Sequence, residues 1–270
     1  MLPLLQRSIV GKSPHTTQLQ AGLGLISETV RFLQMWEQGL SAQQLFRLAL
    51  ESGAFPAVSA RRLRNMVVEA FAPRYLADEG QPARVLKILL AGVSPADLRQ
   101  LFFLYTCRAT PIFADFVRDV YWTKYTAGGK RISKDEARAF ILQAVGRGLT
   151  ARQWSETTVT RVSRYLLGIS ADYGLLGPIR AGGRPIAPVR VTPLTACVLA
   201  YDLHFKGLTD KAVVGHDNWG LFGLDQADVL HELKQLALRG RMIVQSAAGL
   251  TRISWKHETI EELAHVLSES

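Results

Sequence analysis

Cysteine is scarce. Only Cys107 and Cys197 occur in 270 residues, and they have no paired spacing. That argues against a disulfide framework and a cysteine-built zinc site, and it fits a reducing compartment. Long apolar runs are missing too. The most apolar segment, VLKILLAGV, is interrupted by Lys87 and stops at Ser94-Pro95, well short of a membrane span. The opening MLPLLQRSIVGKSPHTTQ has no charged residue ahead of its apolar start, so it makes a poor signal peptide. These absences lead to the expectation of a soluble cytoplasmic protein with no membrane partner. No region is low in complexity. At 48% hydrophobic and 20% charged residues, the chain has enough apolar material for one large domain or two.

Recognisable catalytic patterns are missing as well. HELKQ at His231 begins like a zinc-protease helix, but Gln235 stands where the second histidine belongs. In HETIEELAH the histidines, His257 and His265, are too far apart for ligands on adjacent turns. No G-x-S-x-G elbow, C-x-x-C pair or dense acidic cluster is present. Asp115 and Asp119 are interleaved with Arg118 and read as a solvated face. TAGGKRIS (Thr126 to Ser133) lacks the first glycine of a Walker A loop, since Lys124 holds that place. Its amides with Lys130 and Arg131 could still hold a phosphate; the plain alternative is an interhelical turn. The expectation is a protein without catalytic, metal or cofactor residues.

What the chain has in excess is positive charge, and the excess is local. The net charge of +9 divides into +2 for residues 1–80, +10 for 81–190 and −3 for 191–270. A basic excess confined to the middle points to a polyanion-binding surface there. The other reading is a solvated basic face without a ligand.

Helix starts are written repeatedly. SAQQ (Ser41, Gln44), SKDE (Ser133, Glu136) and TARQ (Thr150, Gln153) have capping-box spacing. Ser94-Pro95 and Thr192-Pro193 place proline at the first helical position. Leu45, Leu48 and Ala49 form one apolar set at helical period, and Val159, Val162, Leu166 and Ile169 form another. Period-two strands are nearly absent before residue 241, so the body is expected to be all-α. Arg241 to Trp255 reads as strand, Ala-Ala-Gly turn, strand, following a helix capped by Asp225 and stopped by Gly240. That order is either the end of a winged-helix unit or a hairpin closing a small helical domain. The four prolines and three glycines of Gly177 to Pro193 mark the expected boundary. Residues 1–177 then form a helical domain, 178–191 a linker, and 192–270 a winged-helix-like domain. Ala72 to Pro82 is a lesser break.

Two helical hairpins, near 41–71 and 133–169, resemble helix-turn-helix units. In the first, Ser59 caps a helix whose inward face is Leu63, Met66, Val67 and Ala70, while Arg61, Arg62, Arg64 and Asn65 fill its start. Cations there oppose the helix dipole, so phosphate or base contact is the reason to place them. In the second, Ser155 caps SETTVTRVSRYLL, which shows Thr157, Thr160, Arg161 and Arg164 on the face away from its apolar stripe. Threonine is a poor helix former. Hydroxyls and guanidiniums at the start of a second helix suit base edges and phosphates. The ordinary alternative is an amphipathic hairpin with a polar outer face.

Four segments in order, GLISETVRFLQMWEQGLSAQQL, SARRLRNMVVEAFAPRYL, FADFVRDVYWTKY and WSETTVTRVSRYLLGISADYGLL, resemble the BrxA family of BREX phage-defence systems. The likeness spans roughly Ala21 to Gly177. It implies an all-α, DNA-binding accessory protein without catalysis of its own, working beside a methyltransferase and an ATPase. The combined expectation is a monomeric, non-enzymatic binder of double-stranded DNA, using Arg61, Arg62, Arg64, Asn65, Lys130, Arg131, Thr157, Thr160, Arg161 and Arg164. The rivals are an RNA-binding helical bundle of antitermination-factor type and a protein assembly scaffold.

Overall fold

The computed structural model describes residues 15–21, 23–150, 152–247 and 250–269. The chain is mainly α-helical. A 3-10 turn (Gln18–Ala21) precedes α1 (Ile26–Met35) and α2 (Ala42–Glu51). α3 (Ala60–Arg64) runs through a π-helical segment (Asn65–Phe71) into α4 (Ala72–Tyr75). Then come α5 (Gln81–Leu89), α6 (Pro95–Ala109) and α7 (Pro111–Phe116). A second π-helical segment (Val117–Trp122) leads into α8 (Thr123–Thr126). β1 (Arg131–Ile132), α9 (Lys134–Gly146), α10 (Glu156–Asp172) and β2 (Arg184–Pro185) follow. The remainder is α11 (Pro193–Phe205), α12 (Asp210–Val214), a 3-10 turn (Asp217–Phe222), α13 (Gln226–Leu238), β3 (Met242–Ala247), β4 (Leu250–Trp255) and α14 (Ile260–Ser268).

The helix starts follow the caps. Ser41 and Ser133 form full capping boxes with Gln44 and Glu136. Ser59, Ser94, Ser155, Thr192 and Asp225 each accept an amide from the first turn of the following helix. Each cap of this type is worth about 1 kcal/mol. TARQ is an exception. Thr150 does not start a helix, because its backbone bridges His15 and α10 begins only after Ser155. The lesser break also lies later than its composition implies. Ala72, Pro73 and Arg74 remain helical, and the chain turns at Asp78, Glu79 and Gly80, all at positive φ. Gly80 is the required residue there, because a Cβ would meet the Trp36 ring at 2.7 Å.

Apolar faces are buried largely as the periodicity predicts. Leu63, Met66, Val67 and Ala70 are buried, as are Val159, Val162, Leu166 and Ile169. Leu48 departs from its set: Leu45 and Ala49 are interior, but Leu48 is 41% exposed. One hydrophobic cluster extends from Leu19 to Leu267. α14 packs on α5, and Arg84 Nε reaches Glu261 Oε1 at 3.1 Å between them. Gly92 is needed at that contact, where any side chain would collide with the Ser268 backbone.

The segment 178–191 is bonded to its surroundings rather than hanging free between two units. β2 pairs antiparallel with β1, a pairing too short to show as alternation in the sequence. Ile186 N–H donates to Lys130 O at 3.0 Å, and Tyr121 Oη donates to Ala187 O. Proline and glycine here exclude helix, as expected, but they do not exclude docking. The C-terminal hairpin is present with the expected strands, Met242 opposite Trp255 through Ala247 opposite Leu250. Residues 248 and 249 of its turn lie outside the described residues.

Candidate nucleic-acid interface

The helix after Ser59 carries its cations outward. Arg61, Arg62 and Arg64 are exposed, while Leu63 between them is buried. Arg64 Nη1 lies 3.8 Å from Glu69 Oε1, across the start of the π-helical segment. Asn65 is half-buried, and its backbone N–H closes the preceding turn onto Arg61 and Arg62. The arginines thus point to solvent, and Asn65 serves first as a helix junction.

The helix after Ser155 differs. Thr157, Thr160 and Arg164 are exposed, but Thr157 Oγ1 lies 3.0 Å from Ser155 Oγ, so one hydroxyl belongs to the cap. Arg161 corrects the sequence reading. It lies opposite the apolar stripe but is half-buried rather than exposed, and its Nε is buried without a hydrogen-bond partner. At about 100° per residue, position 161 still lies on the side away from the buried face, so its partial burial comes from chain packed against the outer side of α10; on the same side, a Cβ at Gly168 would meet Leu23 at 3.0 Å. The hairpin partner is fixed by Arg138, which donates to Glu156 from Nε at 3.1 Å and Nη2 at 2.8 Å.

The two helices are held by a common strap. The turn Gln18–Ala21, with Leu19 buried, packs against both the π-helical segment after α3 and α10. Just beyond it, Gly24 N–H donates to Asp172 Oδ2 at 2.9 Å and Arg74 Nη1 donates to Leu23 O at 2.9 Å. Tyr173 Oη donates to Gly24 O at 3.2 Å. These bonds join the C-terminal end of α4 to that of α10, so the two basic helices have a fixed relation.

The loop before α9 is more than an interhelical turn. Lys130 and Arg131 are exposed, and β1–β2 pairing brings Arg184, half-buried with Nη1 donating to Gly177 O at 3.0 Å, opposite Ile132. Arg131 Nη1 donates to Ala181 O at 2.9 Å, next to exposed Arg180. Gly183, at φ 114, crosses the chain at Ile132 and Ser133 so closely that a Cβ would strike the Ile132 carbonyl. Arg180 and Arg184 were not singled out from the sequence. Their signal was available: no Asp or Glu lies between Asp172 and Asp202. The acidic residues nearby are largely engaged, Glu136 with Lys124 and Glu156 with Arg138.

Elsewhere several titratable groups are buried. Asp115, read from sequence as solvated, is 8% exposed, because His15 and Arg118 enclose it at 3.1 and 3.6 Å. Burial pushes the thiols of Cys107 and Cys197 upward, the latter to about 12, which leaves neither a ready nucleophile. Among the described residues, no group of three His, Cys, Asp or Glu could hold a metal ion. Among them, too, no helix is long and apolar enough to cross a membrane.

In the solved structures, an uncharacterized protein from Magnetospirillum magneticum is similar in fold, with a TM-score of 0.56 at 14% identity; the match covers 75% of this chain and 97% of that one. No curated protein matches the chain. The BrxA family model matches residues 13–202, the stretch that includes the strap, both basic helices and the docked segment. The chain belongs to the BrxA family.

Proposed function

We propose that this BREX phage-defence component acts as a non-enzymatic binder of double-stranded DNA, held mainly through phosphate. The observation that carries the reading is the docking of 178–191 onto the loop before α9. It gathers exposed Lys130, Arg131 and Arg180 around β1–β2, with half-buried Arg184 beside them, in a stretch without acidic residues after Asp172. With the exposed arginines of α3, which the strap ties to α10, this makes two groups of basic side chains set by one hydrophobic cluster. Cations held on packed elements suit a duplex with regularly spaced phosphates. Base readout plays a minor part: Arg161 is half-buried, which leaves Arg164 as the exposed arginine on α10. The methyltransferase and ATPase of such systems are the natural partners of a DNA-holding accessory subunit.

The test is anisotropy of labelled duplex DNA, duplex RNA and single-stranded RNA of one length at one salt concentration. Duplex DNA is expected to bind most tightly, with small differences among unrelated sequences. Tighter binding of either RNA would favour the antitermination-type reading. No retention of any nucleic acid at physiological salt would favour a protein scaffold.

A further inference from the structure

A second cationic feature is lined by elements other than α3 and α10. A cleft of about 430 Å³ opens where the end of α6 and the start of α7 face the end of α11 and the turn before α13. Arg108, Arg118 and Lys206 line it, with Asp115 the one carboxylate among the lining residues. Asp202 lies just behind and is 3% exposed.

The cations are only partly used. Arg108 Nη2 approaches Asp202 Oδ2 at 2.6 Å. With the Asn218 amide oxygen turned toward it, Arg108 also donates to that oxygen from Nε at 2.8 Å and Nη2 at 3.0 Å. Its Nη1 is buried with no hydrogen-bond partner, and the guanidinium lies over the Tyr105 ring at 5.4 Å. A buried guanidinium donor without an acceptor is costly, and protein interiors seldom leave one so. Arg118 donates to Asp217 O at 3.3 and 3.1 Å and lies 3.6 Å from Asp115. Lys206 Nζ stands 3.5 Å from both Asp78 and Asp202 and is 38% exposed, so it can turn toward a ligand. His216 Nδ1 accepts the Asn218 N–H at 3.1 Å, which keeps the ring proton on Nε2 as one more donor. The floor is apolar, from Cys107, Pro111 and Leu203.

We propose that this cleft is an anion site that takes the phosphate group of a small phosphorylated ligand. Arg118 and Lys206 meet the oxygens, Arg108 adds its charge from behind them, and the apolar lining takes the organic part. Arginine's planar fork matches a phosphate group's oxygens. A cavity of this size suits a mononucleotide-sized molecule. The site is independent of the DNA reading.

The test is isothermal titration calorimetry of the whole chain with inorganic phosphate and with AMP. Saturable binding of both is expected, tighter for AMP. Arg108 is a poor first variant, because its removal strands Asp202 in the interior. Lys206→Gln and Arg118→Gln, checked for unchanged cooperative melting, should each weaken phosphate binding by roughly tenfold, the loss of one charge-assisted contact. Arg164→Ala should leave it unchanged. A duplex oligonucleotide added to the phosphate-saturated protein separates two sources. Persistence of phosphate binding assigns the site to a free ligand, and displacement assigns it to a nucleic-acid phosphate. Absence of saturable phosphate binding, or parent-like binding in both glutamine variants, would overturn the proposal.

Discussion

The two basic helices look alike in sequence and differ in structure. Both begin with a serine cap, and both place arginines within the first turns. On α3 the arginines remain outside: Arg61, Arg62 and Arg64 flank buried Leu63 and face solvent. On α10 one hydroxyl joins the cap and Arg161 lies partly under the surface, leaving Thr160 and Arg164 as the outward groups. A polar residue near a helix start is thus no measure of its availability to a ligand. The two helices bury apolar faces of similar width, so the difference lies in what the rest of the chain packs against the outer side of each. Counting exposed cations shifts the weight of DNA contact from α10 toward α3 and the β1–β2 patch.

The largest effect that sharpens this comparison is salt. An interface of about 6–10 phosphate contacts should lose on the order of 10³–10⁵ in affinity between about 50 and 200 mM salt. Anisotropy titrations across that range measure it. Next comes the docked segment. Gly183→Ala places a Cβ against the Ile132 carbonyl at a φ suited to glycine. It should cost about 1–3 kcal/mol in chemical denaturation and weaken DNA binding by freeing Arg180 and Arg184 from the patch. Normal stability and binding in that variant would remove the patch from the interface.

A smaller contrast lies within α10. Arg161→Ala should lower stability by about 1 kcal/mol, because a half-buried side chain loses its packing. Arg164→Ala should stay within about 0.5 kcal/mol of the parent. Equal melting of the two would return Arg161 to the solvent face. The smallest effect is Thr160→Ala, which should raise stability by a few tenths, at most about 0.5 kcal/mol, since alanine is the better helix former and Thr160 is exposed. Thr157→Ala should gain less, because it gives up the contact with Ser155.

The local grammar of the fold was legible. Serine caps, proline at the first helical position and apolar periods mark most helices correctly, because each depends on residues within one turn. The C-terminal hairpin was readable for the same reason. Features set by distant neighbours were not. Thr150 has capping spacing, yet its backbone is taken by His15. Asp115 looks solvated until His15, a hundred residues earlier, closes over it. Gly177 to Pro193 has the composition of a linker, and only its pairing with the Lys130 loop shows that it is built in. For the candidate interface, residue type and rough position were visible, because charge and caps are local. Which cations remain exposed was not, because that depends on what distant parts of the chain pack against each helix.

The central claim is that exposed cations on α3 carry more of a phosphate interface than those on α10. The direct measurement is the slope of log affinity against log salt for duplex DNA, compared among the parent, Arg61→Ala/Arg64→Ala and Arg161→Ala/Arg164→Ala. The account predicts that the α3 pair shallows the slope by about two units and the α10 pair by about one. Parent-like slope in the α3 pair, with a steep loss in the α10 pair, would contradict it.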